Sequence, residues 1–170
     1  MIIEIRRVQP EEYSSLGEIT VRAYRELFEG ESLGSYENEL LDVARRDTDS
    51  EVYVAIDDDA SVWGGVTYVP GPGRTMSEFS DPDAAGIRML AVDPQRQGAG
   101  VGRALAAWCI ELARIQGRKR IVLHSTSVMT TAHGIYERLG FVRSPALDQQ
   151  VYENDDAGRP LCLMSFTLTF

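Results

Sequence analysis

The sequence predicts a single α/β domain spanning residues 1–170, built on a sheet that is only partly parallel. Three observations carry this. Apolar periodicity gives the order β-α-α-β-β-β-α-β-α-β-β, which mixes hairpins with crossover helices. The 170 residues suffice for one domain and are too few for two ordinary ones. At 44% hydrophobic and 25% charged residues, the composition is that of a globular chain, excluding disordered, collagen-like and fibrous classes.

Taken in order, residues 2–8 read as the first strand. The N-terminus lacks the basic region and long apolar stretch of a signal peptide. Pro10, Glu11 and Glu12 open a helix in which Tyr13, Leu16, Thr20, Ala23, Tyr24 and Leu27 recur at helical spacing. A glycine-containing break at 29–34 precedes a second helix over 35–46. Strands at 51–56 and 61–69 flank the acidic turn of Asp57, Asp58 and Asp59. Pro70, Gly71, Pro72 and Gly73 begin a long loop to about residue 85. A strand at 86–92 stops at Asp93-Pro94. The remaining expectations are a helix over 100–116, a strand over 120–125, and a helix over 130–139 ended by Gly140. Two closing strands, 149–153 and 161–170, are joined by a turn-rich 154–159. No apolar run approaches the roughly 18 residues of a membrane span.

Charge is uneven. The chain holds 17 Lys+Arg against 26 Asp+Glu, a formal net charge of −9. Residues 1–60 carry 6 arginines and 16 acids, whereas residues 86–124 carry seven basic residues against Asp93 and Glu111. A basic centre in an acidic chain suggests a local polyanion site and disfavours nucleic acid as a partner. The two cysteines, Cys109 and Cys162, lack CxxC spacing and are expected to be buried free thiols of a reduced, cytoplasmic compartment. No metal site is expected, since the only other soft ligands are His124 and His133.

The informative stretch follows the 86–92 strand. Leu90, Ala91 and Val92 end it, and Gln97, Gly98, Ala99, Gly100, Val101, Gly102 and Arg103 lead into the next helix. Three alternating glycines at a helix start let backbone N–H groups turn inward, and the helix dipole adds positive potential. Arg96 and Arg103 flank the loop. The chemistry points to a phosphate or pyrophosphate site. The P-loop pattern fails because no lysine follows the glycines, and GxGxxG fails because Arg103 and Leu105 stand where glycine is needed.

Leu90-Ala91-Val92-Asp93-Pro94, then Gln97-x-x-Gly100-x-Gly102, then Tyr136-x-x-x-Gly140-Phe141 resemble the GCN5-related N-acetyltransferases (GNAT) over nearly the whole chain. The resemblance implies a mixed, partly open sheet of about seven strands flanked by about four helices, and acetyl-CoA as co-substrate. It implies that the backbone of Leu90, Ala91 and Val92 pairs with the pantetheine arm and polarises the thioester, and that Gln97 to Arg103 hold the pyrophosphate. It also implies that Tyr136 protonates the departing thiolate. The family often carries Asn seven residues before that tyrosine. Here Met129 stands there, with Ser127 or Thr130 as substitutes.

In this family the amine attacks the thioester directly, so no nucleophilic cysteine or serine is required. A phenol of pKa about 10 suits an alkylthiolate of similar basicity. His124 stands where relatives carry a catalytic glutamate, and is the candidate base. His133 reads as a solvated or packing residue. Tyr24 and Phe28 are the candidate acceptor-binding residues. The acceptor is a primary amine, of a small molecule or a peptide N-terminus, and the acidic first third suggests a cationic one. The alternative is a non-catalytic acyl-CoA-binding sensor of the same fold, and a further rival is a nucleotide-phosphate binder using the same loop. The domain is expected to be a monomer or homodimer with no membrane partner.

Overall fold

Residues 3–154 and 160–170 are described by a computed structural model. Strands β1 (Glu4–Arg7), β2 (Glu51–Ile56), β3 (Val62–Val69) and β4 (Ala84–Val92) form an antiparallel run in that order. Next to β4, and parallel to it, lies β5 (Arg120–Thr126). The antiparallel β8 (Pro160–Thr169) follows, and its far side takes both β6 (Val142–Arg143) and β7 (Gln149–Asn154). The sheet therefore has eight described strands, one more than expected. The extra one, β6, is only two residues long, too short to show a period. The turn expected at 154–159 lies mostly outside the described residues.

Helices cover both faces. On one lie α1 (Tyr13–Leu27), α2 (Tyr36–Leu41) and α3 (Val43–Asp49). Leu16 and Val43 pack there against Val52, Val54 and Ile56 of β2, while Val21 and Leu40 pack against Val69 and Met89. On the other face, α4 (Val101–Ile115) and α5 (Thr130–Arg138) bury Leu105, Ala106, Cys109 and Tyr136 against Ala85, Ile87, Ile121, Leu123 and Phe166. Each helix hides its apolar stripe and exposes the rest, the arrangement a two-faced α/β sheet requires.

The second expected helix is two. Asp42 breaks it at φ −82°, ψ 67°, and its carboxylate accepts the Arg45 N–H at 3.0 Å, capping α3. Cys162 is also corrected: Cys109 is buried, but Cys162 is exposed. The reason is register, because β5 covers β8 only from Leu163 onward, and Cys162 pairs with β7 alone.

Two irregularities in β4 shape the site. Thr67 faces Arg88 and Gly65 faces Ala91, so Met89 and Leu90 together oppose Val66. This is a β-bulge, with Met89 at φ 49°. It resets the alternation: Ala85 and Ile87 face α4, Met89 turns toward α1 and α2, and Leu90 and Val92 return to the α4 side. Second, pairing of β4 with β5 runs only from Ala84↔Arg120 to Ile87↔Leu123. Beyond that fork, Arg88–Val92 (residues 88–92) and His124–Thr126 (residues 124–126) diverge with no strand of the described residues between them.

Candidate active site

The fork leaves one backbone edge of Leu90, Ala91 and Val92 without a strand partner, since β3 occupies only the other edge. An unpaired strand edge in a wedge is a template for an extended ligand carrying amide groups. Past the fork on β5, the buried Thr126 hydroxyl has no partner among the described residues. A buried orphan hydroxyl is costly unless a ligand or water satisfies it.

Below the wedge, Asp93 and Pro94 open a single 3₁₀ turn over Pro94–Arg96, with Asp93 accepting the Gln95 N–H at 3.0 Å. The loop then rises to α4. Gly98 and Gly100 have φ of +82° and +81°, and no atom of the described residues, chain neighbours aside, lies within 4 Å of where a Cβ would stand on either. The cradle is thus open above both glycines. The first N–H groups of α4 have no acceptor within the helix, and no side chain caps it. Gly102 differs: a Cβ there would make ordinary contact with Ile135, Val92 and Leu90 at 3.6–3.7 Å, so the position is packed between α4, α5 and β4 and not open. Of the flanking polar groups, Arg96 stacks on Trp63 at 4.5 Å, and Gln97 bonds Glu26 of α1 at 3.3 Å. Arg103 is exposed and has no ion-pair partner among the described residues.

Tyr136 stands on the α4/α5 side. It is the third residue from the end of α5, Gly140 follows at φ +95°, and the Phe141 N–H returns to the Tyr136 carbonyl at 3.0 Å. This is a Schellman closure, whose customary apolar contact is made here by Tyr136 and Phe141, with rings 5.7 Å apart and edge-on. The pattern Tyr-x-x-x-Gly-Phe is therefore a physical device that fixes the ring. Tyr136 is 7% exposed. Burial, with a smaller contribution from Cys109, pushes its pKa above the ordinary tyrosine value. The buried Cys109 thiol is likewise pushed up by burial, so it stays a packed thiol.

His124 lies on the opposite face. In β5, Ile121 and Leu123 point to the α4 side, and cross-strand alternation sends His124 to the α1 side. Its side chain is 2% exposed, with Nδ1 3.1 Å from Glu78 Oε2 and Nε2 3.1 Å from the Leu147 carbonyl. Burial opposes its charged form, but the hydrogen bonds to Glu78 and Leu147 and the Glu78 charge outweigh it, so the pKa is raised. Two acceptors require both nitrogens to donate. In this arrangement both ring nitrogens of His124 are occupied, which does not favour the base role expected of it.

Glu78 went unnoticed in the sequence. It sits in the loop between β3 and β4, and its other oxygen lies 3.1 Å from Arg88. It therefore bridges the first residue past the fork on each strand, Arg88 on β4 and His124 on β5. A cavity of about 730 Å³ opens there, with Glu78, Phe79, His124, Leu147 and Thr167 on its wall. Of the acceptor candidates, Tyr24 is on this face, its ring 6.0 Å from that of Tyr36. Phe28 caps the end of α1, half-buried. The Met129 sulfur accepts the Ser125 hydroxyl at 3.3 Å, and His133 reaches the same hydroxyl at 3.1 Å, while Ser127 and Thr130 are exposed. No helix of the described residues is long and apolar enough to cross a membrane.

Comparison with known proteins places this geometry. The chain is 33% identical over 103 residues to mycothiol acetyltransferase of Cellulomonas flavigena, covering 60% of this chain and 29% of that protein. It is 36% identical over 63 residues to N-acetylaspartate synthetase of Danio rerio, covering 37% and 22%. In both cases the match spans less than a third of the relative's length. Similar folds include the ribosomal-protein-alanine N-acetyltransferase of Brucella melitensis, with TM-score 0.73, 22% identity and coverage of 98% and 99%. Another is Salmonella typhimurium yncA, solved with its cofactor acetyl-CoA, with TM-score 0.69, 22% identity and coverage of 99% and 94%. The family model described as the acetyltransferase (GNAT) family matches residues 14–141, three quarters of the chain, and with the fork, the glycine cradle and the closed helix end it establishes that the chain belongs to that family.

Proposed function

We propose that this chain moves the acetyl group of acetyl-CoA to a primary amine by direct attack. The observation that carries the reading is the fork, with an unpaired β4 edge running from the open glycine cradle toward the strand split. Gly98, Ala99, Gly100 and Val101 hold the pyrophosphate through backbone N–H groups, with Gln97 and Arg103 at the rim. Leu90, Ala91 and Val92 take the pantetheine arm as a further strand, and one N–H there steadies the oxyanion formed on attack. Gly102 contributes packing.

Tyr136 carries the proton for the leaving sulfur. Its raised pKa keeps the phenol protonated at working pH. The amine loses one proton to solvent before attack, its nitrogen bonds the carbonyl carbon, and the carbon–sulfur bond breaks. Tyr136 protonates the thiolate and recovers a proton as the new amide sheds its own. The rest of the family's acetyl-transfer chemistry resides in the thioester.

The test is thiol release from acetyl-CoA, read colorimetrically against a panel of primary amines, beside calorimetric titration with CoA. Turnover on an amine with CoA binding supports the reading. Tight CoA binding with no thiol released by any amine overturns it in favour of a sensor. Thermal stabilisation by ATP but not by CoA overturns both in favour of a nucleotide binder.

A further inference from the structure

The side of the fork facing α1 and α2 gathers Arg88, Arg46 and His124 in a chain whose net charge is −9, with Glu78 bonded to two of them and with Asp42 and Asp148 within electrostatic reach of Arg46 and His124. Arg88 is 19% exposed in its side chain and meets one Glu78 oxygen, its only other described contact being the Met76 sulfur at 3.9 Å. Most of its five donors therefore have no oxygen acceptor among the described residues. His124 bonds the same carboxylate, which favours its charged form. Arg46 is 2% exposed and bonds only neutral oxygens, Thr67 Oγ1 at 3.2 Å and the Leu40 carbonyl at 3.0 Å, leaving its Nε without a partner. No described carboxylate lies within salt-bridge distance of Arg46. It lies within electrostatic reach of Arg88, Tyr24 and Tyr36, and of Asp42, which caps α3. Burial pushes Arg46 down to about 10, still cationic at neutral pH.

The spare donors of Arg88, with Arg46 nearby holding no ion pair among the described residues, do not suit an acceptor that brings only positive charge. They suit one that brings a negative group beside its amine. Glu78, fixed between Arg88 and His124, supplies the acceptor for ammonium N–H groups, and the free donors of Arg88 match a carboxylate in bidentate geometry. We propose that the acceptor is an amino-carboxylate, a free amino acid, with Arg88 holding its carboxylate and Glu78, on the cavity wall, its ammonium. This rests on the acetyl-transfer reading and narrows it, excluding peptide N-termini and simple cationic amines. It replaces the cationic acceptor expected from the acidic first third, whose charges lie largely on exposed surface.

The experiment compares, for the unmodified chain, each common amino acid with its decarboxylated amine and its α-amide in the thiol-release assay. The expected result is an advantage in kcat/KM of roughly ten- to hundred-fold for the amino acid, from one charge-assisted pair. In Arg88→Met the ratio of amino acid to decarboxylated amine should fall toward one, and in Arg88→Lys part of it should return. Amines or α-amides turned over as well as amino acids would overturn the inference while leaving acetyl transfer intact. CoA binding with no turnover of any amine would overturn the acetyl-transfer reading, and the inference with it. The comparison on the unmodified chain decides even where Arg88→Met fails to fold.

Discussion

Replacing Tyr136 by phenylalanine removes one oxygen and nothing else. The structure sets the scale of three separate effects. The ring contacts with Phe141 and Phe166 persist, and the change removes no described hydrogen bond. Unfolding free energy should change by less than about 0.5 kcal/mol, against about 3–5 kcal/mol for loss of a whole buried aromatic side chain. Affinity for CoA should also hold, because the cradle lies on another loop. Turnover should fall by about 10²–10⁴, since the thiolate would leave without its acid. That is about 3–5 kcal/mol of barrier. The wild-type pH profile gives an independent check: burial holds the phenol above its usual value, so the rate should show no alkaline decline from this group up to about pH 10. The assays are urea unfolding, calorimetric CoA titration and thiol release. A variant within about threefold of wild-type turnover, a range set by ordinary mutational scatter, refutes the acid role. A stability loss above about 2 kcal/mol would instead mark the hydroxyl as structural.

Four further outcomes are expected. Gly100→Asp places a carboxylate in the open cradle and should weaken CoA tens- to thousands-fold by calorimetry, and unchanged affinity would end the cradle assignment. Gly102→Val should instead lose about 1–3 kcal/mol in urea unfolding, because its methyls extend beyond a Cβ that already touches Ile135, Val92 and Leu90, whereas a neutral result would contradict the packing role. Gly140→Ala, at φ +95° with Leu168 Cδ1 3.3 Å from the new Cβ, should cost about 1–2 kcal/mol and lower kcat by loosening Tyr136, so full activity would uncouple the helix end from catalysis. The raised pKa of His124 gives stability that is complete below the ordinary histidine pKa of about 6.5 and fades as pH climbs through the folded value. Wild-type Tm should therefore fall relative to His124→Gln on that rise, and parallel curves for the two proteins would show that the Glu78 and Leu147 bonds contribute nothing through charge.

What could be read in the sequence was what local physics writes there. Gly98 and Gly100 occupy positive φ, and Tyr136, Gly140 and Phe141 hold the three special places of a helix end, so residue type and spacing carried those features. Face could have been read too: alternation along β5 separates His124 from Leu123, and so from the side that Tyr136 occupies. Other features left no local trace. The bulge uses Met89 at positive φ, where glycine would have marked it. Asp42 breaks a helix while resembling any other acid on an amphipathic face. Glu78 gains its role from Arg88 and His124, which the chain brings to it across 10 and 46 positions in a loop without period.

The fork also bears on how the domain comes apart. Its two lobes, β1–β4 and β5–β8, are joined within the sheet by four residue pairs, with α4 laid across them. Such a seam is a natural boundary between cooperative units, and the amides along the diverging edges should exchange with solvent well before those of β2 and β3. A ligand that bonded the β4 edge while its phosphates sat on α4 would close that seam, adding about 2.7 kcal/mol of global stability at a hundredfold excess over its Kd. Occupancy would then be written into the lifetime of the folded chain: a cell rich in the ligand would hold a slowly opening protein, and a starved one a protein whose halves part more readily and meet proteases sooner.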